Sequence, residues 1–134
     1  MLRVVLEKER PEMVFFTGDA ISGYGWDGKT RGWFEYQFNK IDVVMQEFNI
    51  PYAYTAGNHE TEGELNRTQI SKLITQYNLS VTLPNAANIS HDFNYVLPVY
   101  SNDGENIEFR LWSIDTGESS GCMGSHGYDC VRED

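Results

Sequence analysis

Two short strings hold the residue types that could do chemistry. Gly18-Asp19 closes Phe15-Phe16-Thr17, and Gly57-Asn58-His59-Glu60 closes Tyr52-Ala53-Tyr54-Thr55-Ala56. A carboxylate, an amide oxygen and an imidazole converging on one point are hard and borderline donors, suited to Mn, Fe, Zn or Mg ions. Each residue alone has an ordinary explanation: Asp19 as a turn residue or helix cap, His59-Glu60 as the opening of the next helix. The joint appearance of the two strings, one strand-helix unit apart, specifies a metal site. His91, in an irregular loop, and His126, in a glycine-rich one, lie in no such motif and read as non-ligands.

For that site to exist, both strings must lie at the same end of one sheet. Met13-Val14-Phe15-Phe16-Thr17 is a nearly continuous apolar run and predicts a strand buried on both faces. A glycine-rich loop follows over residues 21–31; Trp26 and Asp27 within it read as a surface loop with one aromatic anchor. Phe34, Phe38, Ile41, Met45 and Phe48 step by four and three, predicting an amphipathic helix over 32–49 that Pro51 ends. A second strand at 52–56 completes a parallel βαβ unit, whose right-handed crossover brings the two motif-bearing strand ends together. Residues 2–9 predict a further helix with Leu2, Val5 and Leu6 on one face and Pro11 closing it. Thr61-Glu62-Gly63-Glu64 has capping-box spacing, so a helix carrying Ile70, Leu73, Ile74 and Tyr77 is predicted just past the second string. Residues 79–92 read as an irregular connection, and 93–100 with 108–115 as an antiparallel hairpin about Asn102-Asp103-Gly104. The tail from 117 to 134 reads as loop.

The 134 residues, 40% apolar, suffice for one core, and no repeat or domain boundary interrupts them. A net charge of −10 with scattered Lys and Arg opposes a nucleic-acid partner. No run approaches the roughly 18 apolar residues of a membrane span, and the apolar stretch at Met1 is too short for a signal peptide. Cys122 and Cys130 lie in a segment that could turn back to pair them, or remain two thiols. Asn66, Asn78 and Asn88 each open an Asn-x-Ser/Thr triplet, a mild excess over chance. Sequons and cysteines together point towards a secreted or lysosome- or vacuole-like location.

Five stretches carry a resemblance: Phe15 to Tyr24, Ala56 to Glu60, Leu65-Asn66-Arg67-Thr68, Asn94 to Pro98, and Ile114-Asp115-Thr116-Gly117. They are similar to the calcineurin-like metallophosphoesterase superfamily, and within it to the branch like purple acid phosphatases. The resemblance implies an α/β fold, a β-sandwich flanked by helices in αββα layers, of which residues 1–134 would be a single incomplete domain. It implies a binuclear centre of Fe, Mn or Zn, with Asp19 bridging both ions and Asn58 holding the second. His59 would protonate the leaving alkoxide, Glu60 would support it from behind or cap the helix, and a metal-activated hydroxide would attack phosphorus in line. The substrate implied is a phosphomonoester. The family's earlier Asp-x-His motif, its later His and its Gly-His-x-His motif do not occur in this sequence, so the isolated chain is expected to hydrolyse little. Purple members place a metal-binding Tyr three positions after the motif Asp; here that position is Ser22, and Tyr24 lies five positions on, so a ferric tyrosinate is not expected. Two rivals remain: a degenerate, non-catalytic secreted binding or scaffold protein, and a sphingomyelinase-like phosphodiesterase, which fits the loop over 18–31 less well.

Overall fold

The computed structural model describes residues 1–86, 88–119 and 121–131. A parallel βαβ unit positions the site: β1 (Val14–Phe16), α2 (Trp33–Phe48) and β2 (Tyr52–Tyr54), preceded by α1 (Leu2–Glu9). Val14 lies opposite Tyr52 and Phe16 opposite Tyr54. Phe16, Tyr52 and Tyr54 share the face towards α2, where Phe38 packs on both tyrosines at 6.0 and 5.5 Å between ring centroids. On the opposite face Phe15 stacks on Tyr95 at 6.4 Å. The helix period is obeyed with one exception: Asp42 is buried beside Phe38 and Met45 because it accepts hydrogen bonds from the Tyr52 hydroxyl at 2.8 Å and from Gln46.

Several sequence expectations shift in detail. β1 is half-buried rather than enclosed on both faces, because β2 is its one ladder partner among the described residues. The stretch 79–92 is not wholly irregular: Leu79 O accepts from Tyr52 N, and Val81 N donates to Tyr52 O, so Ser80 bridges in parallel on the far side of β2. That third rung accounts for the full burial of β2. In α1 only Leu6 is buried; Val5 is half-exposed, and Arg3 reaches Glu47 of α2 at 2.7 Å.

The capping box lies elsewhere than predicted. Residues Glu60–Glu62 form a single 3-10 turn, and α3 spans Arg67–Ile74. Asn66 is its N-cap, accepting from Gln69 N at 2.9 Å while Gln69 Oε1 accepts from Asn66 N at 3.0 Å. Glu64, read from the sequence as part of that box, instead accepts from Gly32 N at 2.6 Å and Phe34 N at 3.1 Å, capping α2 from outside. A hairpin of β3 (Tyr95–Tyr100) and β4 (Ile107–Ser113) follows, with a register shift after Val99. The Tyr95 hydroxyl donates to Tyr54 O at 2.7 Å, fastening the hairpin to the parallel strands. These elements form a mixed α/β arrangement of helices and two small sheets. Among the described residues no helix is long and apolar enough to cross a membrane.

Candidate metal centre

Both strings turn off the C-terminal ends of adjacent parallel strands, and backbone geometry presses them together. Gly18 has φ +99°, and Asp19 holds the left-handed φ of +53°. A Cβ on Gly18 would stand 2.5 Å from Gly57 N, and one on Gly57 only 2.2 Å from Asp19 Oδ1. Glycine at both places is therefore a steric requirement of the close approach. His59 N donates to Asp19 Oδ1 at 3.1 Å, so the backbone of one turn orients the carboxylate of the other. Asp19 and Asn58 open into one cleft of about 400 Å³, with Thr17, Thr116, Glu118 and Asp129 also on its wall.

Glu60 is fully buried beneath this junction. Its Oε1 accepts from Ala20 N at 2.8 Å and from the Tyr54 hydroxyl at 2.7 Å, and its Oε2 accepts from Gly57 N at 2.9 Å. Burial first, and the Glu60 carboxylate next, push the Tyr54 hydroxyl well above its ordinary value, so it stays protonated and donates. Glu60 thus bonds the backbones of both turns, and its hydrogen bonds go there rather than to the His59 ring.

His59 follows Asn58 but is not among the residues lining the cleft; its Nδ1 lies 2.7 Å from Glu62 Oε2 and the Tyr24 ring 5.8 Å from its own. The hydrogen bond to Glu62 pushes its pKa up and directs Nε2 away from Glu62. Tyr24 is thereby placed against the imidazole and is largely exposed.

Sequence reasoning assigned no role to a second set of groups. Arg67, at the first turn of α3, is buried; its Nε and Nη2 reach Asp115 at 2.8 and 2.6 Å, its Nη1 donates to Gly57 O at 2.8 Å, and its Nη2 donates to Ala56 O at 2.6 Å. Asp115 also accepts from Asp92 N, Phe93 N and Gly117 N. A cation at a helix N-terminus opposes the macrodipole, a signal usable only once the start of α3 is known.

Around the cleft, Cys122 and Cys130 are bonded, and Asp129 N donates to Glu118 O at 2.7 Å. His91 lies 3.9 Å from Asp129, a residue of the cleft wall, and is not itself among the residues lining the cleft. Asn66, Asn78 and Asn88 are all exposed.

The donors decide what the site can hold. A tightly bound ion takes four to six ligands, and a binuclear centre more. Asp19 and Asn58 supply two donor groups, Asp115 is spent on Arg67, and among the described residues no group of three or more His, Cys, Asp or Glu converges to hold an ion. The donors present do not by themselves fit two ions.

The carboxylate turn and the amide turn stand at the C-terminal ends of neighbouring parallel strands, the place where open α/β sheets commonly hold ligands. Residues 1–132 match the model of the calcineurin-like phosphoesterases, and the chain belongs to that family. It is 30% identical to uncharacterized protein C1020.05 of Schizosaccharomyces pombe, over 97% of this chain and 23% of that protein. It is 29% identical to probable inactive purple acid phosphatase 28 of Arabidopsis thaliana, over 98% of this chain and 36% of that protein. With phosphatase DCR2 of Saccharomyces cerevisiae it shares 30% identity, over 96% of this chain and 23% of that protein. The chain thus spans 23% to 36% of the length of the curated relatives it matches. No solved structure is significantly similar to it.

Proposed function

We propose that residues 1–134 are the middle of a metal-dependent phosphoester hydrolase domain, acting on phosphomonoesters, whose remaining metal ligands lie outside the described residues. The observation that supports it most is the meeting of Asp19 and Asn58 in one cleft, from turns that Gly18, Gly57 and Glu60 lock together. Fe, Mn or Zn ions bound there would supply the positive charge that steadies the attacking and leaving oxygens of phosphoryl transfer. Asp19, through its carboxylate, and Asn58, through its amide oxygen, would be this chain's share of the groups that hold those ions. His59, with Nδ1 held by Glu62, would carry its proton on Nε2 and pass it to the leaving oxygen. Glu60 would act through the backbone, fixing the spacing of the two turns.

A non-catalytic binding protein is the second reading, favoured by the shortage of donors and by its similarity to two Arabidopsis proteins named probable inactive purple acid phosphatases 28 and 29. One experiment separates the two. The protein, with its native flanking sequence, is titrated with Mn or Zn and assayed on an aryl phosphate and a diaryl phosphate beside Asp19→Asn. Hydrolysis of the monoester, reduced in the variant by roughly a hundredfold or more, supports the phosphatase reading. Metal binding without turnover supports the binding protein, and preference for the diester a phosphodiesterase. Equal stoichiometry and equal activity in both proteins would remove Asp19 from the site. Export to an oxidising, glycosylating compartment is proposed on the exposed sequons and the bonded cysteines, and a mobility shift on endoglycosidase treatment tests it.

A further inference from the structure

We infer that Arg67 and Asp115 are positioning residues of the site, setting the backbone that presents Asn58 and His59. The inference rests on the proposed role of that cleft. The guanidinium contributes a planar fork, and here every arm is used: Nε and Nη2 face the Asp115 carboxylate, while Nη1 and Nη2 hold the carbonyls of Gly57 and Ala56, the two residues before Asn58. With those carbonyls fixed from α3 and the Gly57 amide fixed by Glu60, the peptides entering Asn58 are held from both sides. The orientation of Asp19 follows, since its Oδ1 is aimed by the amide of His59.

Asp115 lies just past the end of β4 and is itself gripped by the amides of Asp92, Phe93 and Gly117. The hairpin is thereby coupled to the turn that carries Asn58, through one buried ion pair. Unlike an ordinary buried salt bridge, this one spends its remaining donors on the backbone of a functional turn, and Lys could not reproduce the fork. Arg67, its side chain 8% exposed, is not among the residues on the cleft wall, so it acts through the backbone; Asp115 does border the cleft, but its oxygens are taken by the guanidinium and by three amides.

The test compares the protein with Arg67→Lys and with Asp115→Asn, which keeps shape and one acceptor oxygen. Amide hydrogen exchange is read at His59 N–H, which reports the bond to Asp19, and across α2 as an internal control; Mn binding is read in parallel. The expected result is exchange at His59 faster by on the order of tenfold with α2 unchanged, and Mn affinity weakened several-fold. Unchanged His59 exchange in a folded Arg67→Lys or Asp115→Asn protein would overturn the inference. So would acceleration shared equally by α2, or failure of both variants to fold, since either makes the pair a general stabiliser. Faster exchange at His59 in a parent protein that binds no Mn would leave the positioning role standing and sink the metal-site reading instead.

Discussion

Buried carboxylates hold the two turns together, and each makes a separate prediction. Glu60 faces donors on all sides: two amides of the first turn region, one of the second, and the Tyr54 hydroxyl. Glu60→Gln keeps the shape but must turn an NH2 group towards an N–H. Leaving such buried donors unmatched costs about 1–3 kcal/mol, and urea unfolding should show a loss in that range. A cost near zero would mean that water reaches the junction. Asp115 is the pH-sensitive member. Burial pushes its pKa up, but the Arg67 guanidinium and the surrounding amides outweigh that and hold it below its ordinary value of 3.8. A depressed carboxylate stabilises the fold above the unfolded value and loses that contribution as pH falls through the folded one. Stability of the protein should therefore drop as pH is lowered below 3.8, and Asp115→Asn should flatten that part of the profile while lowering the plateau above it. Unfolding free energies measured between about pH 6 and about pH 2.5 decide this, parallel profiles for the two proteins being the contrary outcome. That Asp19 and Asn58 would meet in one cleft was legible, because both stand in short motifs at strand ends. Arg67 and Asp115 each lie in a stretch that carries the resemblance, but their pairing was not legible, since nothing local marks two residues 48 apart as partners.

At the scale of elements, α2 shows why periodicity succeeds where capping signals fail. Its face of Phe34, Phe38 and Met45 is a property of the segment alone, so the spacing predicts the helix to within a residue at each end. Its N-terminus is different. Gly32 has no side chain to cap with, and the amides of Gly32 and Phe34 take the carboxylate of Glu64, thirty residues on. From the sequence Glu64 looks like the last residue of a capping box three positions after Thr61, yet tertiary contact takes it for α2, and Asn66 with Gln69 caps α3. A negative charge bonded to the first turn of a sixteen-residue helix also meets the favourable end of its dipole. Glu64→Ala is accordingly expected to cost about 1–2 kcal/mol, more than Thr61→Ala, and Asn66→Ala about 1 kcal/mol. Chemical denaturation of the three variants tests the order. A larger loss for Thr61→Ala than for Glu64→Ala would restore the local capping box. The same tertiary logic explains Ser80, whose pairing with β2 no pattern within residues 79–92 announces, because one bridge has no period to read.

Across the whole molecule, the buried apolar side chains are concentrated where the helices and the two small sheets meet, and the hairpin's outer side and the cysteine loop lie at the margin. Trp112 and Ile114 are 67% and 59% exposed, and Tyr128 at the cleft mouth is 70% exposed. Residues 121–131 contribute no apolar side chain to the core. Their ties to the rest include the amide of Asp129 on Glu118 O and the approach of Asp129 to His91. The Cys122–Cys130 bond spans a separation of 8 residues, for which the chain-entropy argument gives about 2.5 kcal/mol of stabilisation if the loop stays equally ordered without it. That condition fails for a loop so weakly packed: once cut, it can loosen in the folded protein and recover part of the entropy there as well as in the unfolded chain. Replacing both cysteines by serine should therefore lower global stability by less than about 2.5 kcal/mol, while exposing residues 121–131 to protease. Because Tyr128 and Asp129 line the cleft beside Asp19, the same change should disturb the cleft wall before it disturbs α2 or β2. Urea unfolding and limited proteolysis of the two proteins measure both halves of this. A loss equal to the full loop term without new cleavage in the loop would show that the segment is docked as firmly as the core.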